Sequence, residues 1–138
     1  MALMFNCLAW SMLDFSMNPA SCPTNIGPAQ RSKRVIAGVL MAVFSLGLAA
    51  AFLLLDVSPW IRITLAVPVW FAVLNWFQVR QKTCVYFAAI GKQDQGSGLA
   101  PVEDPEVDKQ LRRQARMIYV WSTLVTLVVI LAFVLLPW

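Results

Sequence analysis

The side chains able to do chemistry are few in this sequence, and their spacing suits little of it. Three cysteines, Cys7, Cys22 and Cys84, stand far apart without a CxxC pair, and the 138 residues include no histidine. Isolated thiols in odd number, with no imidazole near them, point to neither a disulfide framework nor a zinc site. Free, reduced cysteines are expected. The missing imidazole also removes the usual general base and the commonest axial ligand for a tetrapyrrole. There are no paired carboxylates, no nucleophile beside a base and no phosphate-cradling glycine loop, and QGSG at 95–98 reads as a linker. The chain is therefore not expected to be an enzyme or to hold a cofactor with its own ligands. Contact with a pigment or lipid would be peripheral.

The remaining polar residues stand in apolar surroundings. Hydrophobic residues make up 59% of the chain and charged ones 13%, about half the share of a soluble domain. Residues 35–55 carry no charge over 21 positions, enough at 1.5 Å per residue for a hydrocarbon core of about 30 Å. A second span is predicted over 60–77 and a third over 117–136. The fold class is all-α, because only helices satisfy their own backbone in lipid when no barrel can close. The second span holds Arg62 near its end, where it can snorkel, and Pro68, which predicts a kink. Trp70 and Asn75 need partners within the bundle or on a neighbouring helix, lipid or pigment. Gly38, Ala42, Ser45 and Ala49 form a small-residue face on the first helix, suited to close packing inside this chain or against another subunit. No Asp, Glu, Lys or His lies deep in a span, which leaves no proton relay or ion site of the kind pumps use.

Eleven Lys and Arg against seven Asp and Glu give a net charge of +4. Ten of the eleven fall before the first span or between the second and third. That asymmetry predicts a cytoplasmic N-terminus and long loop, with the C-terminus outside. Trp60 and Trp138 then mark the outer interface and Trp76 and Trp121 the inner one. The charge pattern serves topology and gives no reason to expect nucleic acid. Arg31, Lys33 and Arg34, with Arg112, Arg113 and Arg116, are candidate contacts for anionic headgroups, or orientation signals alone. Residues 1–34 form an N-terminal arm. Its first 13 positions are apolar but too short to span, and read as an interfacial segment, with Met12 and Met17 as alternative starts.

Between the spans, Trp76, Val79, Thr83, Phe87 and Ile90 recur at helical spacing, which predicts that the second helix runs on to about Ile90 and stops at Gly91. Asp104 as N-cap and Pro105 as first residue predict a third helix from Pro105 to Leu136. The region 78–116 would then be a cytoplasmic helical hairpin below the three-helix domain of 35–138. Cys84 would be a small packing residue in it, and Tyr86 and Phe87 would be available to a partner.

NIGPAQRSKR at 25–34, QVRQKTCVYFAAIGK at 78–92 and the RRQAR leading into the last span resemble a loose group of small bacterial three-helix membrane proteins without an established activity. The resemblance implies a bacterial inner membrane and supplies no functional residues. A span set without chemistry predicts a non-catalytic accessory or structural subunit of a larger complex. Its partners would be other membrane subunits and lipids, in an energy-transducing assembly (photosynthetic reaction-centre and antenna, or respiratory) as the most specific form. The alternatives are a homo-oligomeric channel or transporter lined by Asn75, Thr123 and Thr126, and a membrane assembly factor.

Overall fold

The computed structural model describes residues 23–94 and 96–135. Three helical runs in it are long and apolar enough to cross a membrane: Pro28–Leu54, Pro59–Arg80 and Pro105–Leu135. Helix α1 (Pro28–Leu54) begins on a proline, whose missing N–H is harmless in a first turn. It starts seven residues before the apolar span, so RSKR lies within the helix. Its far end is a Schellman turn: Val57 N–H donates to Phe52 O at 3.3 Å and Asp56 N–H to Leu53 O at 3.4 Å, with Asp56 at φ +45°.

The chain returns through α2 (Pro59–Arg62), a 3₁₀ turn (Ile63–Leu65) and α3 (Ala66–Arg80). The 3₁₀ turn includes Thr64, four residues before Pro68. A proline offers no N–H to that carbonyl and its ring crowds it, so the tightening falls where the kink is predicted. Arg62 does not extend toward headgroups. It is buried, its Nε donates to Val57 O at 3.1 Å, and its Nη2 is 3.7 Å from Asp56 Oδ1, which ties the helix to the turn before it.

Beyond α3 the structure departs from the sequence-based expectation. The second helix ends at Arg80, not near Ile90. Lys82 turns left-handed at φ +48°, its N–H donating to Val79 O and that of Thr83 to Gln78 O, in a second Schellman turn. Thr83 and Cys84 are not helical, and only a short α4 (Val85–Ala89) follows. Gly91 does stand just past a helix end, at φ +66°. The residues on either side of the QGSG segment pair: β1 (Lys92–Asp94) is antiparallel to β2 (Leu99–Pro101), with Gly96 and Gly98 at positive φ between them. No helical hairpin forms, because the backbone of 82–84 is engaged by the chain before α1, described below.

Helix α5 (Pro105–Leu135) is 31 residues, about 46 Å. Asp104 begins it as expected, its Oδ1 accepting from Glu106 N–H at 2.9 Å. Leu136, Pro137 and Trp138 lie outside the described residues, as do Cys7, Cys22 and the apolar segment of 1–13. Helix α3 is central and packs on both α1 and α5.

Candidate functional site

Among the described residues, four of the largest fully buried side chains, Asn25, Thr83, Cys84 and Leu111, lie at the basic end. Asn25 has no exposed surface, and its amide faces the backbone of Cys84. Oδ1 accepts from Cys84 N–H at 2.6 Å and Nδ2 donates to Cys84 O at 3.1 Å. This side chain occupies the place of a neighbouring strand. The Asn25 backbone continues the pairing: its N–H donates to Lys82 O at 3.3 Å and its carbonyl accepts from Asp94 N–H at 3.0 Å. Gly27 N–H then donates to Asp94 O, so Ile26 bridges β1 in parallel. Three residues just ahead of the first long helix, Asn25, Ile26 and Gly27, thus tie the α3 turn to the β-hairpin.

Side chains from the first turns of α1 complete the knot. Gln30 Nε2 donates to Asp94 Oδ2 at 2.8 Å, and Arg34 Nη2 to Cys84 Sγ at 3.0 Å. The bond from Gln30, the Gly96 N–H on the other carboxylate oxygen and the nearby charge of Lys33 hold the Asp94 carboxyl below the usual aspartate range. Thr83 Oγ1 lies 2.9 Å from Gln81 O and 3.2 Å from Gln114 Oε1. One hydroxyl proton serves one of them, and turning the Gln114 amide over lets it donate to the other lone pair.

Against this polar layer sits a small apolar core of Ala88, Leu111 and Ala115, flanked by Val85, Val102 and Val107. Three segments far apart in sequence, around Asn25, Cys84 and Gln114, meet here. The predicted stripe of Thr83, Phe87 and Ile90 is out of phase with the one the fold uses. Thr83, Cys84 and Ala88 are buried, Phe87 is half-buried, and Ile90 is exposed. Tyr86 is 64% exposed with its ring 6.0 Å from that of Phe87.

The span residues have other surroundings. A Cβ at Gly38 would lie 3.2 Å from Asn75 Cβ, so α1 and α3 approach closely there. Of the small-residue face, Ser45 is buried with its hydroxyl on Met41 O, and Ala42 and Ala49 are half-buried. Asn75 Nδ2 donates to Phe71 O at 2.8 Å. The side-chain amide oxygens of Asn75, Gln78 and Gln81 are buried with no donor among the described residues, and a buried water would satisfy each. Trp70 Nε1 donates to Thr123 Oγ1 at 3.2 Å while its ring meets Phe71 and Tyr119 edge-on.

The basic candidates divide. Arg31 lines a surface cavity, Lys33 is near Asp94, and Arg34 turns inward to sulfur. Arg112 Nε donates to Asp108 Oδ2 at 2.8 Å, whereas Arg113 and Arg116 are exposed. Two signals in the sequence could have exposed the knot: an asparagine just before a Gly-Pro helix start, and a Gln-Lys-Thr-Cys run too polar for the apolar stripe through it. Compared with family models, curated proteins and solved structures, the chain shows no match, so its function is read from its own residues.

Proposed function

We propose that the chain is a non-catalytic accessory or structural subunit of a larger membrane complex, seated by its three spans, with the knot on the cytoplasmic side. The observation that carries this reading is the apolar surface left outside the spans. Tyr86 on α4, Ile90 just past its end and Leu99 on β2 are 64, 41 and 50% exposed. Aromatic and aliphatic groups held rigidly at such a surface suit a protein partner. The spans agree with it: 6% of the most apolar window of α1 is buried, against 22% for each of the other two, so neighbouring helices or lipid must cover the first.

A homo-oligomeric channel or transporter is less well supported. The hydroxyls of Thr123 and Thr126 donate to Tyr119 O and Ser122 O of their own helix, and Asn75 is against Gly38. Purification in mild detergent followed by mass spectrometry tests the proposal. Different membrane proteins should co-purify in fixed stoichiometry, and Tyr86→Ala should weaken that association. Recovery as a lone monomer would sink the reading, symmetric self-association would favour the channel, and capture of immature complexes alone would favour an assembly factor. An energy-transducing partner is the most specific form of the proposal, and would show as pigment or redox absorption in the co-purified material.

A further inference from the structure

A cavity of about 500 Å³ opens beside the start of α1, lined by Ile26, Gly27, Pro28, Arg31, Ser32, Val35 and Lys82. Two cations reach it from separate parts of the chain. Arg31 comes from the first turn of α1 and Lys82 from the left-handed turn that ends α3. No carboxylate lines it among the described residues, and the first turn of α1 holds no acid. The remaining lining is apolar on the side that leads into the span, where Val35 begins an exposed aliphatic face continued by Ile36 and Val39.

We infer that this cavity is a binding site for an anionic glycerophospholipid. The phosphodiester would be held by the Arg31 guanidinium, the Lys82 ammonium and the Ser32 hydroxyl, with the acyl chains laid from Val35 along α1. Charge complementarity selects the headgroup: two cations without a counter-carboxylate attract a phosphate, and a zwitterionic headgroup brings its own cation into the same space. The mixed lining selects a lipid over a free anion, because inorganic phosphate leaves the apolar wall unused. The other basic residues of the RSKR run do not line the cavity. Arg34 is bonded to Cys84 Sγ, and Lys33 lies near Asp94.

The test uses the full chain in phosphatidylcholine vesicles titrated with phosphatidylglycerol, with bound lipid read by native mass spectrometry. Arg31→Gln and Lys82→Gln should each weaken retention of phosphatidylglycerol about fivefold, and the pair roughly 25-fold. Lys82→Gly guards against a trivial loss of fold. Glycine suits φ +48° better than lysine does, so this variant should melt no lower than the parent and still lose about fivefold. Arg113→Gln with Arg116→Gln removes equal charge from the same end, outside the cavity, and should leave retention within about twofold. An equal loss in that control pair would overturn the site in favour of diffuse attraction. Unchanged retention in Lys82→Gly, or displacement of the lipid by millimolar inorganic phosphate, would overturn it as well.

Discussion

The basic end of this molecule and the three helices long and apolar enough to cross a membrane solve the same problem by different means. At the basic end the chain leaves regular structure, and backbone groups of Lys82 and Cys84 that no helix or turn satisfies find a partner elsewhere. Asn25, 59 residues away in sequence from Cys84, supplies three of those partners, two from its side chain and one from its backbone N–H. In the long helices the backbone satisfies itself within each helix, and a lipid surrounding would solvate apolar side chains as well as a protein core does. Dense burial is therefore needed only where the chain is irregular. Sparse packing suffices where it is helical. Stability should accordingly be concentrated in the knot, although most of the apolar residues are in the spans.

The largest test of that contrast is Leu111→Ala. Leu111 is fully buried beside Ala88 and Ala115, and the cavity left behind should cost about 2–5 kcal/mol in a reversible detergent unfolding titration. Asn25→Ala comes next, at roughly 2–4 kcal/mol, because it leaves a donor and an acceptor of buried Cys84 unpaired. Limited proteolysis in the 81–94 region should accelerate with it. If Asn25→Ala unfolds at the parent's denaturant midpoint, the knot is not what holds this end together.

On the span side, Gly38→Ala places a methyl group 3.2 Å from Asn75 Cβ and should loosen the α1–α3 contact by about 1–3 kcal/mol. Cysteine pairs across those helices would crosslink more slowly. Trp70→Phe keeps the ring packing and removes the bond to Thr123, so it should cost only about 0.6 kcal/mol. A Trp70 effect exceeding that of Asn25 would invert the comparison.

The smallest effect is the pH dependence of Asp94. Its carboxyl lies below the usual range, so the folded state favours the ionised form. That stabilisation is complete above the ordinary aspartate pKa of about 4 and is lost as pH falls below it, through the folded value. Unfolding midpoints taken between about pH 6 and pH 3 should fall less steeply in Asp94→Ala than in the parent.

The parts of the fold legible in the sequence are those with local causes. Asp104-Pro105 announces α5 through a side-chain cap and a preset φ, and Gly91 marks a helix end because a left-handed residue costs glycine little. Pro68 places the tightened turn around Thr64. The end of α3 has no such marker. Its Schellman turn puts Lys82 where glycine is usual, and the apolar spacing through Val79, Thr83 and Phe87 runs on as though the helix continued. What breaks it is a set of bonds to Asn25 and Gln114, residues that nothing local connects to Thr83 or Cys84. The same holds for the site residues. The sequence marks Arg31, Lys33 and Arg34 as one basic run, and only their different neighbours separate a cavity wall, a charge near Asp94 and a donor to sulfur.

By itself, then, the sequence determined the number of helices able to cross a membrane, the one-sided placement of the basic residues and the scarcity of groups suited to catalysis. Each is a matter of run length and composition, which act through solvent and need no knowledge of what packs on what. Tertiary structure decided where α3 stops, that the residues flanking the glycine-rich segment pair as strands, and that Asn25, Cys84, Asp94 and Gln114 share one knot. Those outcomes depend on hydrogen bonds between residues tens of positions apart, whose strength comes from burial that exists only once the chain has folded.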